Sequence, residues 1–213
     1  MWDKTDLHFF VQDSNNKLGQ INMTTPFGIE LSTIARDETN KVFLEVGTWN
    51  GLGSTACIYN GLKERTDDWV FYSLETNTEK IDFAKKHYEN SRISFHNETL
   101  LKSIPTYEEI VKELGDDVVQ KWYDIDIENL KDCKWFFDDK QIDHFDMVLL
   151  DGGEYHTYFE FLEIKDRTKI ICLDDVNAVK CKRIYNELSN SSDWKLQKED
   201  MRERNGWAIF YRK

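Results

Sequence analysis

Three aspartates follow two strongly apolar segments, and their position gives them the clearest capacity for chemistry. Asp151 ends the run Phe145–Leu150 (FDMVLL), and the pair Asp174 and Asp175 ends the run Lys169–Leu173 (KIICL). Such runs are typical of buried parallel strands. The carboxyl ends of parallel strands share one edge of a sheet, where ligands bind. We therefore expect the three carboxylates to converge there.

Carboxylates brought together in this way repel one another unless a cation or protons compensate them. An oxygen-binding divalent ion such as Mg²⁺ would satisfy all three at once. The alternative is that Asp174 and Asp175 cap the helix predicted to follow them, a role that Asp175 could combine with metal binding.

A glycine-spaced turn lies nearer the N-terminus, in the segment Lys41–Thr55 (KVFLEVGTWNGLGST). An apolar, β-branched start leads through Gly47, Gly51 and Gly53 to Ser54, which is a suitable helix N-cap. Strand, glycine turn and helix in this order let a ligand approach bare backbone at the sheet edge. The spacing differs from the dinucleotide pattern GxGxxG, because the turn is longer before its second glycine. A plain structural connection is the alternative.

A further acidic residue ends the second predicted strand. The run Trp69–Leu74 leads directly to Glu75, roughly 20 residues beyond the glycine turn, where an acidic residue holds a ribose diol in related sheets. One carboxylate can accept hydrogen bonds from both hydroxyls. A solvated glutamate at a strand end is the other interpretation.

The elements that must position these residues alternate along the chain. Strands alternate with helices, and Asn205-Gly206 predicts the turn of a closing antiparallel hairpin. This pattern predicts an α/β, Rossmann-like, doubly wound sheet of seven strands, mostly parallel with the last strand antiparallel and helices on both faces. We expect a single domain over residues 1–213, with an N-terminal cap at 1–22. Residues 116–144 form an acidic, aromatic insertion that is either a substrate lid or a packed excursion.

The composition of the chain limits the kinds of partner that it can bind. The 213 residues carry a formal net charge of -12 without a basic cluster, which argues against nucleic acid and anionic membranes. The sequence shows no apolar run of transmembrane length and no signal peptide. The four cysteines form no CxxC pair, as is usual for free thiols in a reducing compartment. We expect a cytoplasmic protein.

The glycine segment resembles motif I of the class I S-adenosylmethionine (SAM) dependent methyltransferases, in which this loop wraps the methionine end of the cofactor. The resemblance implies a set of cofactor-binding residues in the loop, at the ribose and beside the adenine: Glu45, Gly47, Thr48, Gly51, Gly53, Glu75, Glu98 and Thr99. A side chain at Gly47 is expected to block the cofactor and leave the fold intact.

The aspartates resemble the metal-binding acids of metal-dependent O-methyltransferases, and the Asp-Asp pair is the form found in the macrolide and aminocoumarin sugar enzymes. The resemblance implies that Asp151, Asp174 and Asp175 bind Mg²⁺ or Mn²⁺, which holds the acceptor hydroxyl. Asp151 or His156 would then take the proton. His156 stands further from the aspartate than the histidine of many related sequences.

The resemblance as a whole implies a SAM-dependent O-methyltransferase acting on a hydroxyl of a sugar or glycan, such as the deoxysugar rhamnose. Methyltransferase domains of this kind occur in multidomain glycan-synthesising proteins of large DNA viruses, which would work in the host cytoplasm. Three alternatives remain: a metal-independent N- or O-methyltransferase, whose activity survives EDTA; a SAM-binding module without turnover; and a dehydrogenase, which would prefer NAD.

Overall fold

The computed structural model describes residues 18–89, 91–115 and 118–213. The strands within these residues are β1 (Val42–Val46), β2 (Val70–Leu74), β3 (Ile93–His96), β4 (Glu98–Thr99), β5 (Lys134–Trp135), β6 (Phe145–Leu150), β7 (Thr168–Asp174), β8 (Trp194–Asp200) and β9 (Trp207–Arg212). The α-helices are α1 (Pro26–Arg36), α2 (Ser54–Leu62), α3 (Thr78–His87), α4 (Tyr107–Leu114), α5 (Gln120–Leu130), α6 (Thr157–Ile164) and α7 (Val179–Asn190).

Seven strands form one sheet in the order β3-β2-β1-β6-β7-β9-β8. The strands from β3 to β7 pair in parallel, whereas β9 is antiparallel to both β7 and β8. The prediction of a mostly parallel, seven-stranded sheet with its last strand reversed is confirmed. Strand β1 has β2 on one side and β6 on the other, so the chain order reverses at β1, where open α/β sheets bind ligands.

Alternation along the central strands separates two hydrophobic cores, one on each face of the sheet. Leu44 and Val46 of β1 belong to one core and Phe43 belongs to the other. Because successive side chains of a strand point to opposite faces, Glu45 shares the face of Phe43. Strand β6 is buried along its whole length, as its continuous apolar sequence predicts.

The segment predicted as an irregular insertion contains a regular element. Helix α5 lies within it, and β5 then pairs in parallel with β4. Phe136, which directly follows β5, is fully buried in the core beside the central strands. Residues 116 and 117 of the predicted insertion, and residues 1–17 of the predicted N-terminal cap, lie outside the described residues. No helix in the described ranges is long and apolar enough to cross a bilayer.

Candidate active site

A cavity of about 660 Å³ opens at the carboxyl ends of β1, β2, β6 and β7. Its lining comes from the loops after these strands, from β4, from α5 to α7, from the turn between β8 and β9 and from the residues before α1. The lining includes Leu18, Gly19, Ile21, Gly47, Thr48, Trp49, Gly53, Glu75, Glu98, Asp126, Asn129, Asp151, His156, Glu160, Asp175, Lys180 and Arg204. The cavity therefore contains most of the residues singled out in the sequence.

The glycine loop is packed tightly against the end of β6. Gly47 has a φ of +98°, and a Cβ added there would lie 2.1 Å from the backbone oxygen of Asp151. The backbone nitrogens of Gly47 and Thr48 both donate to the Leu74 carbonyl, at 2.9 and 3.0 Å. The expectation that a side chain at Gly47 would leave the fold intact is wrong, because that side chain would collide with the backbone beside it.

The stretch before α1 crosses the glycine loop on its other side. The nitrogen of Gly19 donates to the Leu52 carbonyl at 3.1 Å, and a Cβ on Gly19 would lie 2.4 Å from the Cα of Gly53. Two glycines are thus needed where the two backbones meet. The described part of the predicted N-terminal cap therefore covers the loop and one side of the cavity.

Glu75 stands at the end of β2 and is fixed by backbone donors. Its Oε2 accepts from the nitrogen of Trp49 at 2.7 Å, and its Oε1 accepts from the nitrogen of Asn77 at 2.8 Å. Burial raises the pKa of Glu75 above its usual value. A carboxylate offers about four acceptor positions, so beside the backbone donors of Trp49, Asn77 and Thr76 the Glu75 side chain can still accept from a ligand hydroxyl in the cavity.

Glu45 does not line the cavity. It is fully buried, and its carboxylate accepts from the hydroxyls of Ser54, Thr55 and Ser73, each at 2.6 Å. Burial raises its pKa to about 7, although the three hydroxyls oppose the shift. Alternation along β1 places the side chain of Glu45 beneath the loop and outside the cavity lining, and its direct contact with a cofactor stays a prediction. Glu45 instead ties β1 to the first turn of α2 and to β2.

Gly51 and Thr99 also lie outside the lining. Gly51 takes a φ of +78°, and its carbonyl accepts from the Tyr88 hydroxyl at 2.8 Å. The Thr99 hydroxyl donates to Oε1 of Glu160 at 2.9 Å, so it positions a cavity residue. Glu98 does line the cavity, and its Oε2 accepts from Lys140 at 2.9 Å.

The three aspartates converge as the sequence predicts, with one oxygen from each lying within 4.8 Å of the others. Two basic side chains lie among them. Lys180 Nζ is 2.6 Å from Oδ1 of Asp151 and 2.7 Å from Oδ2 of Asp175. Arg204 Nη2 is 2.7 Å from Oδ2 of Asp174 and 3.5 Å from Oδ1 of Asp175. The repulsion among the carboxylates is thus compensated by the chain itself.

Burial and these charges set the protonation of the cluster. Burial, followed by the charge of Asp151, raises the pKa of Asp174 to about 7. Burial also opposes ionisation of Asp175, but Lys180, Arg204 and Asn205 together outweigh it and lower the pKa of Asp175. Burial likewise opposes the charge on Lys180, yet the nearby carboxylates raise its pKa well above the ordinary value. Lys180 is therefore a charged ammonium at neutral pH.

The oxygens of the three aspartates are the ligand type that Mg²⁺ and Mn²⁺ prefer. Lys180, however, already contacts Asp151 and Asp175, and Arg204 contacts Asp174 and Asp175. A divalent cation at the same oxygens would be in contact with an ammonium group of like charge. As its side chains stand, this cluster does not fit a divalent cation.

His156 lies between two further carboxylates on the cavity wall. Its Nδ1 is 3.8 Å from Oδ2 of Asp126, and its Nε2 is 3.7 Å from Oε2 of Glu160. Among the described residues, neither His156 Nδ1 nor Glu160 Oε2 has a hydrogen-bond partner. Burial lowers the pKa of His156 and raises the pKa of Asp126 to about 6. At neutral pH the imidazole is uncharged and can accept a proton.

Backbone strain is concentrated around the cavity. The described non-glycine residues with positive φ are Trp49 at 49°, Asp175 at 56° and Arg204 at 53°, and all three line the cavity. Such conformations cost about 1–3 kcal/mol each and cluster at ligand-binding sites.

Four charged cavity residues were not identified from the sequence: Asp126, Glu160, Lys180 and Arg204. A signal existed for Lys180, which is the second residue of α7. A basic residue in the first turn opposes the helix dipole, and that unfavourable position indicates a strong partner nearby. Asp126 belongs to α5, so the insertion supplies part of the cavity wall.

Several solved structures share this arrangement of strands and helices. The O-methyltransferase from Bacillus cereus, in complex with S-adenosylhomocysteine (SAH), has a TM-score of 0.57 and 16% identity, covering 89% of this chain and 82% of its own. TomG from Streptomyces achromogenes, an O-methyltransferase of tomaymycin synthesis in complex with SAM, has a TM-score of 0.58 and 14% identity, covering 99% and 96%. The SAH-bound methyltransferase PaMTH1 from Podospora anserina has a TM-score of 0.52 and 14% identity, covering 87% and 77%.

The chain has the Rossmann-like methyltransferase fold. No protein-family model matches the sequence, and no curated protein sequence matches it either. In this methyltransferase fold the cavity lies at the switch point beside β1, where the strand order reverses.

Proposed function

We propose that the protein is a SAM-dependent O-methyltransferase that acts on a hydroxyl group of a sugar or glycan. One observation carries the proposal: Glu75 and the pair Asp151 and His156 line the same cavity, on either side of the glycine loop. The cavity thus offers a site for a ribose together with side chains that can accept a hydroxyl proton. The fold shared with SAM- and SAH-bound structures supports the choice of cofactor.

In the proposed complex the cofactor lies along the ends of β1 and β2. Gly47 and Gly53 present backbone to the methionine end, and Glu75 accepts hydrogen bonds from the ribose hydroxyls. Glu98 borders the adenine. Glu45 and Thr99 act indirectly, since Glu45 anchors the first turn of α2 and Thr99 holds Glu160.

The acceptor lies on the side of β6 and β7. The wall there combines carboxylates and an imidazole, including Asp126, Asp151 and His156. Groups of this kind form hydrogen bonds with several hydroxyls at once, which favours a polyhydroxylated acceptor such as a deoxysugar. The net charge of -12 further favours a neutral acceptor over an anionic one.

The reaction moves a methyl group from the sulfonium of SAM to the acceptor oxygen. The carbon–sulfur bond breaks, a carbon–oxygen bond forms, SAH leaves and the hydroxyl proton must go to a base. His156 is assigned that role because it is uncharged, and because Asp126 and Glu160 stabilise the imidazolium that results. Asp151 orients the hydroxyl. No step passes through a divalent cation, because Lys180 already engages the carboxylates that would hold it.

The experiment is a binding measurement followed by a turnover assay. Calorimetry with SAH should show binding at a single site, with NAD as the competing nucleotide. Methyl-labelled SAM is then incubated with a panel of monosaccharides and deoxysugars, and mass spectrometry locates the transferred group. Transfer to a ring hydroxyl is the expected result. A preference for NAD over SAH would indicate a dehydrogenase, and SAH binding without transfer to any acceptor would indicate a binding module.

A further inference from the structure

We propose that Lys180 is a built-in cation that takes the place of a divalent metal ion in the acceptor site and holds Asp151 in position. Its part in methyl transfer rests on the proposed function, whereas its place among the carboxylates is a matter of geometry. Asp151 and Asp175, which the sequence indicates as metal ligands, both contact Lys180.

The ammonium nitrogen stands almost where an ion would. Its distances of 2.6 Å to Asp151 and 2.7 Å to Asp175 compare with about 2.1 Å for Mg²⁺ and about 2.4 Å for Ca²⁺ to a carboxylate oxygen. The difference is a few tenths of an ångström, far less than the space that a second cation would need. Lys180 and a divalent ion therefore exclude each other at these two oxygens.

The chain holds Lys180 there against two unfavourable effects. The side chain is only 8% exposed, and a lysine is rarely buried unless it is paired. It also lies in the first turn of α7, where the helix dipole disfavours a positive charge. Two carboxylates in direct contact offset both effects, so the ammonium and its partners form one charge-compensated unit.

The charges of the whole cluster lead to the same conclusion. Lys180 and Arg204 face the three aspartates, which leaves one formal negative charge when all five groups are ionised. A divalent ion added to this set would make the cluster positive, next to a cofactor whose sulfonium is itself positive. With Lys180 in place, a metal ion would therefore add more positive charge than the carboxylates compensate.

An ammonium can perform the positioning task of a metal ion in another way. It carries three N–H donors, and two of them serve Asp151 and Asp175. The remaining donor can point to the acceptor oxygen while Asp151 is held on one side of it. Lys180 is thus a positioning residue for Asp151 and for the acceptor.

The test measures Mn²⁺ binding by electron paramagnetic resonance on the full chain, without acceptor or turnover. Wild type should leave Mn²⁺ free, and its melting temperature should not respond to Mn²⁺ or EDTA. Lys180→Met should bind Mn²⁺ at least about tenfold more tightly than wild type and should melt higher when Mn²⁺ is added. Lys182→Met, which removes an exposed lysine of the same helix, should behave as wild type.

Tight Mn²⁺ binding by wild type, or methyl transfer that is lost on chelation and restored by Mn²⁺, would overturn the inference. So would a folded Lys180→Met variant that gains no Mn²⁺ binding. Should that variant fail to fold, Lys180→Arg and the wild-type measurement decide the matter, since Lys180→Arg keeps the charge and should also leave Mn²⁺ free. SAH affinity is measured in the same samples. If the proposed function is wrong, SAH does not bind, and the Mn²⁺ measurement can still be interpreted by itself.

Discussion

The backbone nitrogen of Trp49 donates a 2.7 Å hydrogen bond to Oε2 of Glu75. This contact links the glycine loop to the end of β2, and Trp49 reaches it with a φ of 49°. The carboxylate proposed to hold the ribose therefore also fixes the loop proposed to hold the methionine end. Two parts of the proposed cofactor site depend on one side chain.

Replacing Glu75 with alanine should raise the dissociation constant of SAH by about ten- to a hundredfold, since charge-assisted hydrogen bonds of about 1.5–3 kcal/mol are lost. Calorimetry on the folded variant measures the effect. Glu79→Ala is the matched control, because Glu79 is an exposed glutamate in the first turn of α3. An unchanged constant for Glu75→Ala would mean that the ribose is held elsewhere.

Gly47→Ala should destabilise the fold as well as prevent SAH binding. Gly115→Ala provides the comparison, because Gly115 has a similar φ of +88° but nothing lies within 4 Å of an added Cβ. Gly115→Ala should lose about 1–3 kcal/mol of unfolding free energy from backbone strain alone, because its φ of 88° and ψ of -166° lie in a region that is essentially restricted to glycine. Gly47→Ala adds a collision with the Asp151 carbonyl and should lose clearly more. Equal losses in urea unfolding would show that the loop yields to the side chain.

His156→Gln should lower kcat for methyl transfer by about 10²–10⁴-fold and leave SAH affinity unchanged, as expected for loss of a general base. Burial lowers the pKa of His156 below its usual 6.5. Protonation removes the base, so the wild-type rate should fall as the pH drops through that lowered pKa. The pH–rate profile of His156→Gln should not show this fall at low pH.

His144→Gln serves as the control for His156→Gln, since the side chain of His144 is 66% exposed. Its rate and pH profile should match those of wild type. If His156→Gln kept its rate and Asp151→Asn lost it, the proton would pass to Asp151 instead.

Glu45→Gln should change how stability depends on pH. The pKa of Glu45 is about 7 in the folded protein against 4.5 as its ordinary value, so the folded state binds the proton more tightly. The stabilisation of the folded state by this proton is complete below about pH 4.5 and is lost as the pH rises through 7. The free energy of unfolding changes by about 3 kcal/mol over this range. Melting temperatures of wild type and variant measured between about pH 5 and 8 should therefore diverge, with wild type falling relative to Glu45→Gln. Parallel curves would show that Glu45 titrates normally.

The sequence predicted what depends on strand ends and on periodicity. Asp151, Asp174 and Asp175 follow continuous apolar runs, and runs of that kind become parallel strands whose ends meet at one edge. Glu75 was found by the same reasoning. The mostly parallel sheet follows from the alternation of strands and helices, and the reversed last strand follows from the closing hairpin.

The contacts of individual side chains were beyond the sequence. Glu45 lies beside a ligand loop in sequence, but its side chain is directed by the alternation of β1 into a cluster of hydroxyls. Lys180 is far from Asp151 in the chain, and only the packing of α7 against β6 brings the two together. Asp126 reaches the cavity from an insertion whose path no local pattern specifies.

The position of β9 between β7 and β8 has a consequence for the order of folding. Among the described strands, β8 pairs only with β9, so it cannot join the sheet until β9, made later by the ribosome, has docked on β7. Until then β7 presents an unpaired apolar edge, the kind of surface on which nascent chains aggregate. Arg204 lies in the turn between β8 and β9 and contacts Asp174 only once that hairpin is in place. Completion of the sheet therefore also brings Arg204, the second of the two cations that compensate the acidic cluster, beside Asp174.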